Sequence, residues 1–88
     1  MKAQNIVGPQ IRRLRNAEKL TQEQFSARCG VLGWRLSRGT LAKIEAQVRC
    51  VSDAELFILA KALRKEIGQL YPSDRAAVLR QLKHSDGE

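Results

Sequence analysis

Apolar residues recur at three- and four-residue intervals along most of the chain and nowhere alternate with period two over a useful length. That pattern predicts helices and no sheet. Gly8-Pro9 sets the first start, since proline sits easily in a first turn whose N–H has no partner to lose, and Val7, Ile11 and Leu14 then share one face to about Glu18. Thr21 caps a second helix, with Gln24 placed to return the bond; Phe25, Cys29 and Leu32 follow at helical spacing, through Gly30 to a stop at Gly33. Ser37 caps a third, from Arg38 to about Ala46, with Leu41 and Ile44 on one face and Arg38, Gly39, Ala42 and Lys43 on the other. Ser52 and Glu55 form a capping box for a fourth, whose stripe is Leu56, Leu59, Ala60 and Leu63, widened by Phe57 and Ile58. A short fifth helix is expected from about Glu66 to Leu70, before Tyr71-Pro72. Ser73 or Asp74 then caps a last one, about 74–83. The fold class is therefore all-α, a compact bundle of five to six helices forming one domain over residues 1–84, with its core in 7–71 and a disordered tail at 85–88.

Charge sharpens this picture through its placement. The formal net charge is +7. Residues 1–51 hold ten basic side chains (Lys2, Arg12, Arg13, Arg15, Lys19, Arg28, Arg35, Arg38, Lys43, Arg49) against three acidic ones, whereas 52–88 hold six of each. The whole surplus lies in the half that carries the second and third helices, as an electrostatic footprint for phosphate requires. A chain of 88 residues has no spare mass for a catalytic lobe. It also shows no glycine-rich phosphate loop, no paired carboxylates at catalytic spacing and no nucleophile beside a base, so no enzymatic activity is expected. Cys29, Cys50 and the single His84 lack the spacing of a zinc site; no metal and no cofactor are expected, and Cys29 reads as a small buried apolar residue. No stretch has the length of a signal core or a membrane span, and the expected location is cytoplasmic, associated with a bacterial or phage nucleoid.

Four segments carry a resemblance. Ile11-x-x-Leu14-Arg15, Leu20-Thr21-Gln22-Glu23-x-Phe25-Ser26, Ser37-x-x-Thr40-Leu41-x-Lys43-Ile44-Glu45 and Leu59-Ala60-x-Ala62-Leu63 stand in the order and at the spacing of the phage repressor and Cro-like (Xre) helix-turn-helix family. The likeness covers roughly residues 7–71 and implies a lambda repressor-like DNA-binding bundle.

The resemblance assigns roles residue by residue. It places Arg38, Gly39 and Lys43 at the positions that reach base edges. Arg38 can offer a bidentate fork to guanine, and Gly39 can allow close backbone approach or a thymine methyl. It places Thr21, Gln22, Arg35, Ser37 and Arg49 against the DNA backbone, where they would set register without choosing sequence. Arg15 and Glu45 are implied to form a partly buried ion pair of structural purpose. The family's function, a sequence-specific transcriptional regulator and more often a repressor, is the leading expectation, with double-stranded DNA as partner and a homodimer as the working assembly. Phe57, Leu70, Tyr71, Val78 and Leu82 are the candidate dimer surface; for Val78 and Leu82 completion of one monomer's core is an equal alternative. A competing reading is a protein-interaction module, antitoxin-like or a scaffold partner, that binds through its C-terminal half and touches DNA secondarily.

Two departures from the family stand out. Residues 32–36 (Leu-Gly-Trp-Arg-Leu) are extra, which lengthens the second helix and widens the turn, with Arg35 displayed and Leu36 and Trp34 turned inward. Gln47 occupies the position of a common glycine, so it either strains the end of the third helix or lets that helix run on; this leaves the path of Val48 to Val51 open.

Overall fold

The computed structural model describes residues 2–85, in which five α-helices and one 3₁₀ turn follow one another without a strand. They are α1 (Gly8–Ala17), α2 (Gln22–Val31), α3 (Arg38–Glu45), α4 (Asp53–Leu63), the 3₁₀ turn Ile67–Leu70, and α5 (Arg75–Ser85). Serine, threonine and aspartate open four of them for the reason capping predicts. Thr21 accepts from the Gln24 N–H while Gln24 answers to the Thr21 N–H; Ser52 and Glu55 repeat the exchange, Ser37 accepts from Thr40, and Asp74 accepts from Ala76.

Ile11, Phe25, Leu41, Ile44, Leu59, Leu63 and Leu70 are fully buried and form the centre of the core. Helix α2 packs on α3 and α4, α1 on α3 and α4, and the 3₁₀ turn closes against α1 and α4. Leu70 therefore finishes the monomer's interior. Its expected place on a dimer surface is corrected, because the last turn of the 3₁₀ segment points it under α1 and α4. Leu32 is corrected too: α2 ends at Val31, and Leu32 lies 44% exposed past the helix end. Gly33 then takes the left-handed region at φ 105°. At the other uncertain end α3 stops at Glu45, and Gln47 adopts φ 65°, so this residue bears the strain that a glycine would avoid. The segment expected as tail begins inside α5, since Ser85 is helical; residues 86–88 lie outside the described ones.

The tightest joint lies where the start of α1 meets the end of α3. Asn5 serves as the anchor: its side-chain Oδ1 accepts from the N–H groups of Val7 and Gly8, and its Nδ2 donates to the carbonyls of Ile44 and Arg49 at 3.0 and 2.8 Å. One side chain thus satisfies N–H groups at the start of α1 and ties them to carbonyls in the last turn of α3 and just beyond it. The chains approach so closely here that a Cβ on Gly8 would lie 2.2 Å from the Ile44 carbonyl oxygen. Gly8→Ala should therefore destabilise the fold by about 1–3 kcal/mol or more through forced separation of α1 from α3. Urea denaturation checks this, and a midpoint equal to that of the parent would mean the two helices do not touch at this point.

Candidate nucleic-acid interface

The pair α2 and α3 is held by its inner faces, which leaves the outer face of α3 to solvent. Leu41 and Ile44 are fully buried, while Arg38, Gly39 and Lys43 are exposed. A Cβ on Gly39 would meet nothing within 4 Å, so the chain's own packing gives no reason for glycine there. Its cost inside a helix, about 1 kcal/mol relative to alanine, has no return within the monomer.

The extra residues shape the turn. The Trp34 N–H donates to the Cys29 carbonyl and the Leu36 N–H to the Trp34 carbonyl; Leu36 is 5% exposed and Trp34 packs half-buried on the core. With both apolar neighbours turned inward, Arg35 is left outside. Cys29 lies beneath them, fully buried, and desolvation pushes its thiol up to about 11, so it stays protonated and acts as an apolar filler. Val31 and Leu32 face outward, Val31 almost wholly so.

Glu45 organises the site from behind. Arg15 meets it in a bidentate pair, Nε to Oε2 at 2.7 Å and Nη2 to Oε1 at 2.9 Å, while the third guanidinium nitrogen donates to the Leu20 carbonyl. Both residues are buried. The Glu45 hydrogen bonds raise Arg15 above its already high value, so the guanidinium is charged at every accessible pH. Gln22 reaches the same carboxylate, its Nε2 donating to Oε1 at 3.0 Å. One N–H of this amide is thus spent on orienting the side chain, and the second N–H and the carbonyl remain for a partner at the start of α2, beside the Thr21 cap.

Arg49 occupies a different setting from the open one its sequence position suggests. Its guanidinium forks onto Glu55, both N···O distances 3.0 Å, and donates to the Cys50 carbonyl. Arg49 holds the Glu55 carboxyl below the usual carboxylate range, chiefly through these hydrogen bonds. A phosphate at Arg49 would have to share it with Glu55. Arg35, Arg38 and Lys43, in contrast, take part in none of the three ion pairs found among the described residues, which are Arg15–Glu45, Arg28–Glu18 and Arg49–Glu55. Of the other candidate surface residues Phe57, Tyr71 and Leu82 are exposed and Val78 is half-buried. Sequence reading missed Asn5 and the grip of Glu55 on Arg49; an asparagine shortly before a Gly-Pro helix start was the available signal for the first.

No described helix is long and apolar enough to cross a membrane. The model of the helix-turn-helix family matches residues 11–70. Among solved structures, the chain is similar to the restriction-modification controller protein C.AhdI from Aeromonas hydrophila, at 32% identity and a TM-score of 0.66, over 74% of this chain and 91% of that one. No curated protein matches the chain.

Glu45→Ala would leave the Arg15 guanidinium buried without its counter-charge and release Gln22 at once. The expected loss is about 3–5 kcal/mol, larger than an exposed pair could give, and for a domain of this size that lowers the melting temperature by at least about 10 °C. Calorimetry of the variant measures it; a shift of about 2 °C or less would show the pair to be solvated.

Proposed function

The chain belongs to the helix-turn-helix family of phage repressor and Cro-like DNA-binding transcriptional regulators, and we propose that it reads a specific operator by laying α3 in the major groove. The observation that carries this reading is the outer face of α3: exposed, cationic, with Arg38 and Lys43 in no ion pair among the described residues, and relieved of a side chain at Gly39. Arg38 supplies the base-reading fork and Lys43 a second cation one turn on. Thr21, Gln22, Arg35 and Ser37 contact the phosphates that flank the groove. Arg49 joins them by exchanging one Glu55 oxygen for a phosphate oxygen, which makes it the most costly of the backbone contacts.

One such module covers a single half-site, and a homodimer on a two-fold related operator supplies useful affinity. The exposed Phe57, Tyr71 and Leu82, with half-buried Val78 beside them, are the surface for the second copy. Repression by occupation of a promoter is the simplest outcome for a chain this small. The likeness to a protein described as a restriction-modification controller supports a role in setting the expression of a small gene set.

Selection of duplexes from a random pool tests the whole reading, since an enriched palindrome reports base preference and two-fold symmetry together. On the selected site, Arg38→Ala should cost about 1–3 kcal/mol of binding and relax preference at one base pair, whereas Lys43→Ala should weaken binding and lower the salt slope by about one. Duplex affinity unchanged in both variants would remove α3 from the interface. Gly39→Ala separates fold from function in one substitution. It should stabilise the free protein by about 0.5–1 kcal/mol and weaken duplex binding, as measured by thermal melting and titration; unaltered affinity would mean that no groove approaches this position.

A further inference from the structure

Away from α3, a cleft of about 540 Å³ opens between the N-terminal segment, the start of α1 and one side of α5. That volume falls within the range of small-molecule sites, about 300–1,000 Å³. Three cations from three separate stretches line it: Lys2, Arg13 and Arg80. Among the described residues none of the three belongs to an ion pair and no acidic side chain lines the cleft. Asp74 lines an adjoining hollow that it shares with Arg13, and has one oxygen committed to the start of α5. Like charges gathered without a counter-ion repel one another, so this arrangement is relieved by an anion.

The N-terminal wall is fixed in place. Gln47 accepts at its carbonyl from the Gln4 N–H and donates its amide to the Asn5 carbonyl, while the Gln81 amide donates to the Ala3 carbonyl, which ties the segment to α5. Beside the amides of Gln10, Gln47 and Gln81, the lining includes an apolar part formed by Ile6, Pro9 and Pro72. Inorganic phosphate alone would leave that surface bare. The N-terminal segment and α5 lie outside residues 11–70, whereas Arg13 and Gln47 lie inside them, so the cleft forms where the helix-turn-helix core meets the two ends of the chain that flank it.

We propose that this cleft binds a small organic phosphate, a compound with two or more phosphate charges for Lys2, Arg13 and Arg80 and a flat body for the proline-bearing walls. The binding is independent of duplex binding and is read directly. Titration of the full chain with ATP, followed calorimetrically at low salt, should saturate at one site per chain, and pyrophosphate should bind about tenfold more weakly because it lacks the body. Arg13→Ala/Arg80→Ala should weaken ATP binding about tenfold or more with an unchanged melting temperature, since charge-assisted bonds are lost from two exposed residues. Arg38→Ala/Lys43→Ala removes the same charge elsewhere and should leave ATP binding as it was.

Failure of ATP to saturate at millimolar concentration would overturn the proposal, as would equal binding by the Arg13/Arg80 variant. Equal loss in both double variants would reduce the effect to general attraction of polyanions, and equal affinity for pyrophosphate would remove the organic body; either result overturns it. Displacement of ATP by duplex, with duplex binding weakened in the Arg13/Arg80 variant, would assign the cations to the DNA footprint instead.

Discussion

The Glu45 carboxylate is the point on which the arrangement of the three N-terminal helices turns. It sits in the last turn of α3, where the helix dipole disfavours negative charge, and it is almost completely buried. Neither circumstance is tolerable for a lone carboxylate. Arg15 from α1 and Gln22 from α2 resolve both, and in doing so they fix where α1 and α2 stand relative to α3. Hydrophobic burial of Leu41 and Ile44 holds α3 down without setting its rotation to better than side-chain packing allows. Directional bonds from two other helices to one carboxylate set that rotation, and with it the direction in which Arg38 and Lys43 project.

The cations of the chain divide by whether the protein itself uses them. Arg15 is buried, bidentate and structural. Arg28 bridges Glu18 and the Ala62 carbonyl, which joins the end of α1 to the end of α4 across α2. These pairs are partly solvated and contribute little beside the buried one. Arg35, Arg38 and Lys43 have no such internal employment, although carboxylates are available to neighbouring arginines. Cations left unpaired in a protein able to pair others are what the proposed DNA-facing surface requires, and Arg49 stands between the two groups, held by Glu55 yet near the surface.

Much of this architecture was legible in the chain, because its helices announce themselves locally. Capping at Thr21, Ser37 and Ser52 is a contest among groups within four residues, and the structure repeats the sequence expectation at each of the three. The Arg15–Glu45 pair came instead from resemblance, since nothing local joins residues thirty apart. Errors fell where long-range packing decides. Leu32 continues an apolar spacing that the helix itself does not continue, and a single leucine such as Leu70 after a short helix carries no sign of which side will be covered. Asn5 was invisible for the same reason: two of its four bonds go to the end of α3, and only the folded chain brings them near. At Gln47 the alternatives stayed open until the backbone closed them with a positive φ, a strain compensated by bonds from Gln47 to the N-terminal segment on both its backbone and its side chain.

The C-terminal helix poses a separate physical question. Ala77, Val78 and Gln81 are half-buried, which accounts for one side of α5, yet Leu79 and Leu82 are 48% and 54% exposed. Phe57 on α4 is likewise half open, its ring covered in part by the Lys61 ammonium 5.3 Å from the centroid. An isolated helix of eleven residues has too little propensity to persist by itself, so α5 depends on contacts for its order, while the side that carries Leu79 stays about half exposed. A second copy would cover that side without adding polar groups to bury. This is why the homodimer we propose recruits α5 and the open side of α4, while α3, committed through Glu45 to the rest of the monomer, is left outside the contact and available to the groove.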